Sequence, residues 1–319
     1  MALFGTVKRR FRCPIVVTAF DAENFLGLPA VEGNPDVIVL PIPYELTTSY
    51  GQGTENGPSA TLKASTQVEL YDPLLPEDLP CGFGIKTANP WDGDGNSLQE
   101  QLDGIEKYLH SNVSNSFPII LGGEHGMLPA IVAWIGESID LSELTIVQID
   151  AHADLRNQLD GDPNSHACAA RRALDLGVGN LLQVGIRAIS REEAQFIHDD
   201  LRVKVWPARE ILNPCGGEMK WNEWLATLEN LKGPVWLTLD VDGLDTAHVP
   251  TTGTPVPGGL AYWQVVETIE RLASANIDWV GADINEIVPD PNNHVTEFTA
   301  AMLATKCIAA HLATKLEEK

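Results

Sequence analysis

The chain has 319 residues, of which 44 are acidic and 21 basic, giving a formal net charge of −23. So acidic a balance speaks against nucleic acid as a partner, because the phosphate backbone calls for basic patches. No stretch approaches the roughly 18 consecutive apolar residues of a membrane span, and length with 44% hydrophobic content suits one large α/β domain over 1–319.

Along the chain, apolar runs alternate with helical periodicity. Lys8-Arg9-Arg10 precedes a short apolar run, but Pro14 interrupts it and Asp21 ends it, so it is not read as a secretory leader. Residues 36–41 read as a strand, and 57–71 and 97–110 as helices, the second opened by the capping box Ser97-x-x-Glu100. Between these helices, 89–95 is rich in Gly, Asp and Pro and reads as a surface turn. A strand at 117–121, a helix at 126–136 and a strand at 144–150 follow. Next come a helix near 166–176, a strand at 181–186, a helix at 191–200 and a short strand at 203–206. Helix 221–231, strand 235–240, helix 261–275, strand 277–284 and a last helix from about Thr296 complete the order. Alternation of this kind predicts a three-layer α/β/α fold with a mainly parallel central sheet, whose ligands bind beyond the carboxyl ends of the strands.

Three predicted strands end in metal-capable side chains. The run ending at Ile149 continues into Asp150-Ala151-His152-Ala153-Asp154, and in an extended strand alternate side chains share a face, so Asp150, His152 and Asp154 are expected to project together. The run 235–239 leads into Asp240-Val241-Asp242, again carboxylates spaced by two. The run 117–121 leads into Gly122-Gly123-Glu124-His125, where glycines permit a tight turn that presents an imidazole. His125, Asp150, His152, Asp154, Asp240 and Asp242 are too many ligands for one tetrahedral zinc and suit two divalent cations. Oxygen-rich ligation with imidazole and no thiolate suits Mn²⁺, with Ni²⁺ as the alternative. Five cysteines, Cys13, Cys81, Cys168, Cys215 and Cys307, are odd in number and lack CxxC spacing, which speaks for a reducing, cytoplasmic setting.

In order, Gly-Gly-Glu-His at 122–125, Asp-Ala-His-Ala-Asp at 150–154, Ser-His-Ala-Cys at 165–168 and Asp-Val-Asp-Gly-Leu-Asp at 240–245 resemble the motifs of the ureohydrolase superfamily of arginases and agmatinases. The likeness extends through Thr48-Ser49-Tyr50-Gly51-Gln52-Gly53-Thr54, Gly57-Pro58-Ser59-Ala60, residues 252–259 and Glu286. The resemblance implies an arginase-like fold, a binuclear manganese hydrolase that releases urea from a small cationic guanidino substrate, and a homotrimer or homohexamer. It implies that His125, Asp150, His152, Asp154, Asp240 and Asp242 hold the ions, with Asp150 and Asp240 bridging. It implies that His166 moves protons beside the substrate, that Asp154 accepts one, and that Glu286 pairs with the guanidinium. Asp245 is expected to support the ligands from behind.

Departures from the family pattern refine the expectation. Thr246 stands where proline is usual and Gly126 where serine is common, which removes no ligand but alters loop freedom. Arg156 stands where arginases carry an asparagine that reads the α-carboxylate of arginine, so the resemblance points to agmatinases, with Arg156 as a substrate-side residue and agmatine, split into putrescine and urea, as substrate. Alternatives are a guanidinobutyrase or a nickel-dependent guanidine hydrolase. A metal-dependent deacetylase would carry consecutive histidines, which this chain lacks, and a non-catalytic partner subunit would have lost ligands, whereas all six positions are kept.

Overall fold

A computed structural model describes residues 20–93 and 97–317. The basic Lys8-Arg9-Arg10 segment, Cys13 and the end of the 89–95 turn lie outside the described residues.

The elements run β1 (Val37–Ile42), α1 (Gly57–Ser65), β2 (Ile85–Thr87), α2 (Leu98–Asn112), β3 (Phe117–Gly122), α3 (Leu128–Gly136), β4 (Thr145–Ile149), α4 (Ala169–Asp175) and β5 (Asn180–Val184). They continue α5 (Arg191–Asp199), β6 (Val203–Trp206), α6 (Ala208–Ile211), α7 (Gly217–Glu229), β7 (Pro234–Asp240), α8 (Tyr262–Ser274), β8 (Asp278–Asn285) and α9 (Val295–Glu317). The strands form one parallel sheet in the order β2-β1-β3-β8-β7-β4-β5-β6. This is the three-layer α/β/α architecture expected from the sequence.

Pleating divides each strand between two apolar layers. Val37, Val39, Leu237 and Leu239 pack on one side with Trp224, Ile269, Leu272, Leu303 and Ile308 from α7, α8 and α9. Ile38, Leu40, Ile120 and Trp236 pack on the other with Leu102, Ile105, Ile131 and Ala170 from α2, α3 and α4. Helix starts follow their capping residues: Ser97 Oγ accepts from Glu100 N at α2, and Ser190 with Glu193 closes a full capping box at α5.

Several boundaries differ from expectation for local reasons. The helix expected over 57–71 stops at Ser65, where the Ser65 and Thr66 hydroxyls donate to the carbonyls of Leu62 and Lys63 and Ser65 Oγ also accepts from Leu26 N. Helix α7 begins at Gly217 rather than 221, because Gly216 takes a left-handed turn at φ 120°. The expected helix starts at 126 and 166 are 3-10 turns, His125–Met127 and His166–Cys168. Strand β2 and helix α6, at three and four residues, are too short to leave a periodic signal.

One buried titratable group on α9 makes stability depend on pH away from the site. The His311 ring stacks on Phe117 with centroids 3.7 Å apart, and burial, reinforced by Lys315, lowers its pKa to about 4 from 6.5. The unfolded chain therefore takes up this proton near pH 6.5 while the folded chain resists until about 4, so stability is lost as pH falls through that window. The loss is at most about 3 kcal/mol. Urea unfolding of His311→Phe should lose less stability than the natural chain between pH 7 and 4; parallel curves would refute the assignment.

Candidate active site

Four neighbouring strands deliver the site. Leu121, Ile284, Leu239 and Ile149 stand level across β3, β8, β7 and β4. The residues that follow them leave the sheet at one rim, the position where parallel α/β sheets place ligands.

Beyond β4 the chain does not remain extended. Asp150 lies past the strand end and Asp154 sits in the left-handed region at φ 52°. The expected comb on one strand face is therefore replaced by a loop that splits the three residues. Asp150 and Asp154 turn to His125, whose Nδ1 lies 3.2 and 3.1 Å from their carboxylates. His152 turns to Asp242, with Nδ1 3.0 Å from Oδ2. Asp240 and Asp242 likewise do not share a strand face, because the chain enters a 3-10 turn at Val241–Gly243 and Asp240 accepts from the Asp242 amide at 2.8 Å. Asp240 still reaches the group, 3.8 Å from His125 Nδ1.

Two candidate ligand sets result, His125 with Asp150 and Asp154, and Asp150 with His152 and Asp242, the ligand atoms of each lying within 4.8 Å of one another. Asp150 belongs to both. The charge balance of the bare groups is poor. Burial and the Asp154 and Asp242 charges push the Asp150 pKa to about 7, and burial with Asp242 and Asp150 nearby raises Asp240 well above the carboxylate range. Burial would lower both imidazoles, yet Asp150 and Asp154 hold His125 well above its ordinary value, and Asp242 holds His152 at about 10. Burial opposes the Asp242 charge, but the hydrogen bond with His152 keeps its pKa low.

The orientation of His125 tests whether cations fit. Its Nε2 lies 2.7 Å from Thr238 Oγ1, whose own hydrogen goes to Asp283 Oδ1 at 2.7 Å. Nε2 is therefore the donor, which leaves the lone pair of a neutral ring on Nδ1. That buried Nδ1 has no hydrogen-bond partner, although three carboxylates surround it. Metal-free, the raised pKa keeps a proton on this nitrogen against the carboxylates; a shared cation would take the place of that proton and satisfy the lone pair and the carboxylates together. Asp283 is itself fixed by Trp236 Nε1 and Asn285 Nδ2, and Gln148 Nε2 donates to Asp150 at 2.8 Å. The all-nitrogen-and-oxygen donor set suits hard or borderline divalent ions.

Above this floor lies a cavity of about 390 Å³, within the usual range for small ligands. Its lower lining is His125, His152, Asp154, Asp240 and Glu286; its walls include Ser49, Arg156, Leu159, His166, Ile189 and Glu193. Glu286 is held in a left-handed conformation at φ 65°, with its amide donating to Gly123 O and its carbonyl accepting from Thr252 Oγ1. Its carboxylate accepts from His125 N at 2.8 Å, and burial, then Glu124, raises its pKa well above the ordinary value. A Cβ at Gly253 would lie 3.0 Å from Glu286 Oε2, so a larger residue in the 252–254 loop would press on this carboxylate.

Arg156 has a part-exposed side chain with Nε 3.9 Å from Glu193 Oε2. Asp245 does not stand behind the ligands as expected; it accepts from the amides of Ala247, Gly258 and Gly259, and these bonds lower its pKa and pin the following loop. Sequence reasoning gave no role to four residues. Glu45 gathers the amides of Gly53 and Glu55 to shape the loop over the cavity, Glu193 closes one wall, and Thr47 and Ser49 both contact His166. The first two are carboxylates that bond to backbone groups, a role that leaves no spacing pattern.

Comparison with known proteins matches this geometry. The sequence signature of the arginase family spans residues 35–310. N(1)-aminopropylagmatine ureohydrolase of Synechocystis is 38% identical over 298 residues, covering 89% of this chain and 92% of that protein. Agmatinase of Bacillus anthracis is 33% identical over 288 residues, covering 84% and 90%. The crystal structure of agmatine ureohydrolase of Thermoplasma volcanium superposes with a TM-score of 0.77 at 28% identity, covering 96% and 98%. With its ligand-bearing loops, its sheet order and these relatives in agreement, the chain belongs to the arginase family.

Proposed function

We propose that this arginase-family hydrolase releases urea from a guanidino compound that carries a cationic alkylamine tail. The observation that carries the reading is the meeting of His125, Asp150 and Asp154 with Asp150, His152 and Asp242 in two sets that share Asp150, with Asp240 3.8 Å from His125 Nδ1, beneath a cavity with Glu286 in its lining. A pair of divalent cations, manganese in this reading with nickel as the alternative, supplies when bound the acidified water that attack on a delocalised guanidinium requires.

The chain's own groups do the rest. Glu286 accepts hydrogen bonds from the planar guanidinium and fixes its orientation, turning an encounter into a near-attack geometry. Asp154 accepts a proton as the tetrahedral carbon collapses, and His166 returns one to the departing amine. Glu193, a wall carboxylate outside the ligand sets, favours a cationic tail over a neutral one. The relatives divide between agmatinase and N(1)-aminopropylagmatine ureohydrolase, so agmatine and its aminopropyl derivative are the two leading substrates. A guanidino acid is the second reading, favoured by the part-exposed Arg156 guanidinium in the same wall.

The same reading includes a homotrimer or homohexamer and a cytoplasmic setting. Cys168, Cys215 and Cys307 are free thiols, and among the described residues no helix is long and apolar enough to cross a membrane. Urea release by Mn²⁺- and Ni²⁺-reconstituted protein should be measured with agmatine, aminopropylagmatine, arginine, guanidinobutyrate and guanidine. The highest kcat/KM is expected for an amine-tailed substrate; a clear preference for guanidinobutyrate or free guanidine would overturn the assignment.

A further inference from the structure

We propose that Glu124 and Thr47 are positioning residues that keep the ring proton of His166 on Nδ1 and so turn Nε2 toward the cavity as the atom that exchanges protons. The proposal rests on the catalytic reading of His166.

Glu124 is fully buried, and its carboxylate is held by the chain that follows Glu45. Oε2 accepts from the amides of Leu46 and Thr47 at 2.7 and 2.6 Å, and Oε1 accepts from Thr47 Oγ1 at 2.5 Å. The Thr47 hydroxyl has a single hydrogen, and a carboxylate has none to give back. Towards His166, Thr47 Oγ1 can therefore only accept. It does so from the His166 amide at 2.9 Å and lies 3.1 Å from the ring Nδ1. A hydrogen bond over that distance needs its proton on Nδ1. Ser165 Oγ is the more distant neighbour of the same nitrogen, at 3.4 Å.

On the other side of the ring, Ser49 Oγ lies 3.0 Å from Nε2, and both Ser49 and His166 line the cavity. A hydroxyl can donate to Nε2 or accept from it, so this nitrogen can be bare or protonated without loss of its partner. The buried side of the imidazole is fixed and the cavity side is free to change. The order carboxylate, hydroxyl, imidazole has the logic of an acid that orients a histidine, with a threonine interposed.

Glu124→Gln reverses the polarity of this chain while keeping its shape. The amide oxygen can still accept from Leu46 N and Thr47 N, but the amide nitrogen must donate to Thr47 Oγ1. The threonine hydrogen is then released toward Nδ1, and the favoured neutral tautomer of His166 becomes Nε2–H.

The test is ¹⁵N-histidine NMR on the full chain saturated with diamagnetic Mg²⁺, the His166 signals being those that His166→Asn removes. Expected are an Nδ1–H signature in the natural chain, an Nε2–H signature in Glu124→Gln, loss of the fixed tautomer in Thr47→Val and its recovery in Thr47→Ser. Metal content should be unchanged in Thr47→Val. On the Mn²⁺-loaded protein, kcat in Glu124→Gln should fall about a hundredfold or more, within the range of a positioned acid–base group, with KM altered far less. An Nε2–H tautomer in the natural chain, or an unchanged tautomer in Glu124→Gln, would overturn the proposal. A switched tautomer with undiminished kcat would leave the relay in place and remove His166 from the reaction.

Discussion

Asp150→Asn should abolish turnover without weakening the metal-free fold at neutral pH. Asp150 is shared by both candidate ligand sets, so its loss degrades two coordination spheres at once. Replacing even an outer partner of a metal ligand costs roughly ten- to a hundredfold, and a shared ligand sets that as a floor. The effect on the fold has the opposite sign. The Asp150 carboxyl, raised to about 7 by burial and then by Asp154 and Asp242, keeps its proton in the folded chain over a pH range in which the unfolded chain has lost it. A raised carboxyl pKa makes the metal-free protein less stable as pH climbs from about 4 to 7, and asparagine does not titrate there. Metal analysis and urea unfolding of the stripped protein, both at pH 5 and 7.5, check the pair of expectations. A variant that still holds two ions per chain at normal turnover would dismiss the shared-ligand assignment.

Glu286→Gln is expected to spare the metal and cost the substrate. The amide oxygen can go on accepting from His125 N, so the local backbone keeps its tie, but the negative charge facing the cavity is gone. Removing one partner of a buried charged hydrogen-bonded pair costs about 2–5 kcal/mol, which corresponds to a drop in kcat/KM of about thirtyfold to several thousandfold. Steady-state kinetics alongside metal content separates the outcomes. Loss of metal instead of loss of kcat/KM would make Glu286 a ligand and not the guanidinium partner.

The fold was legible because its signals are long and repetitive. Seven apolar runs, most of them buried on both faces of a parallel sheet, with helical periodicity between them, leave little choice of architecture, and the three-residue β2 and four-residue α6 escaped. Residue types at the site were legible because two imidazoles and several carboxylates at strand ends have few other uses. Their arrangement was not. A period-two spacing suggested one face for Asp150, His152 and Asp154, but the left-handed turn at Asp154 and the end of pairing after Ile149 send them to different partners. Glu124 was visible in its motif, yet its bonds reach Leu46 and Thr47, separated from it by 78 and 77 positions, and no local pattern announces a contact of that range. Asp245 misled for the opposite reason: it stands in the same short motif as Asp240 and Asp242 and was expected to support them, whereas it organises its own loop.

The order in which the strands lie has a consequence for how the protein matures. β8 sits between β3 and β7, so the middle of the sheet stays open until residues 278–285 slot in, after every other strand has been synthesised. Until then Asp283 is absent from its place behind Thr238, nothing sets the tautomer of His125, and Glu286 has not met the His125 amide. The hydrogen bonds that orient His125 and Glu286 are therefore complete only with β8 in the sheet, which links the geometry of the candidate cation site to the last strand of the chain.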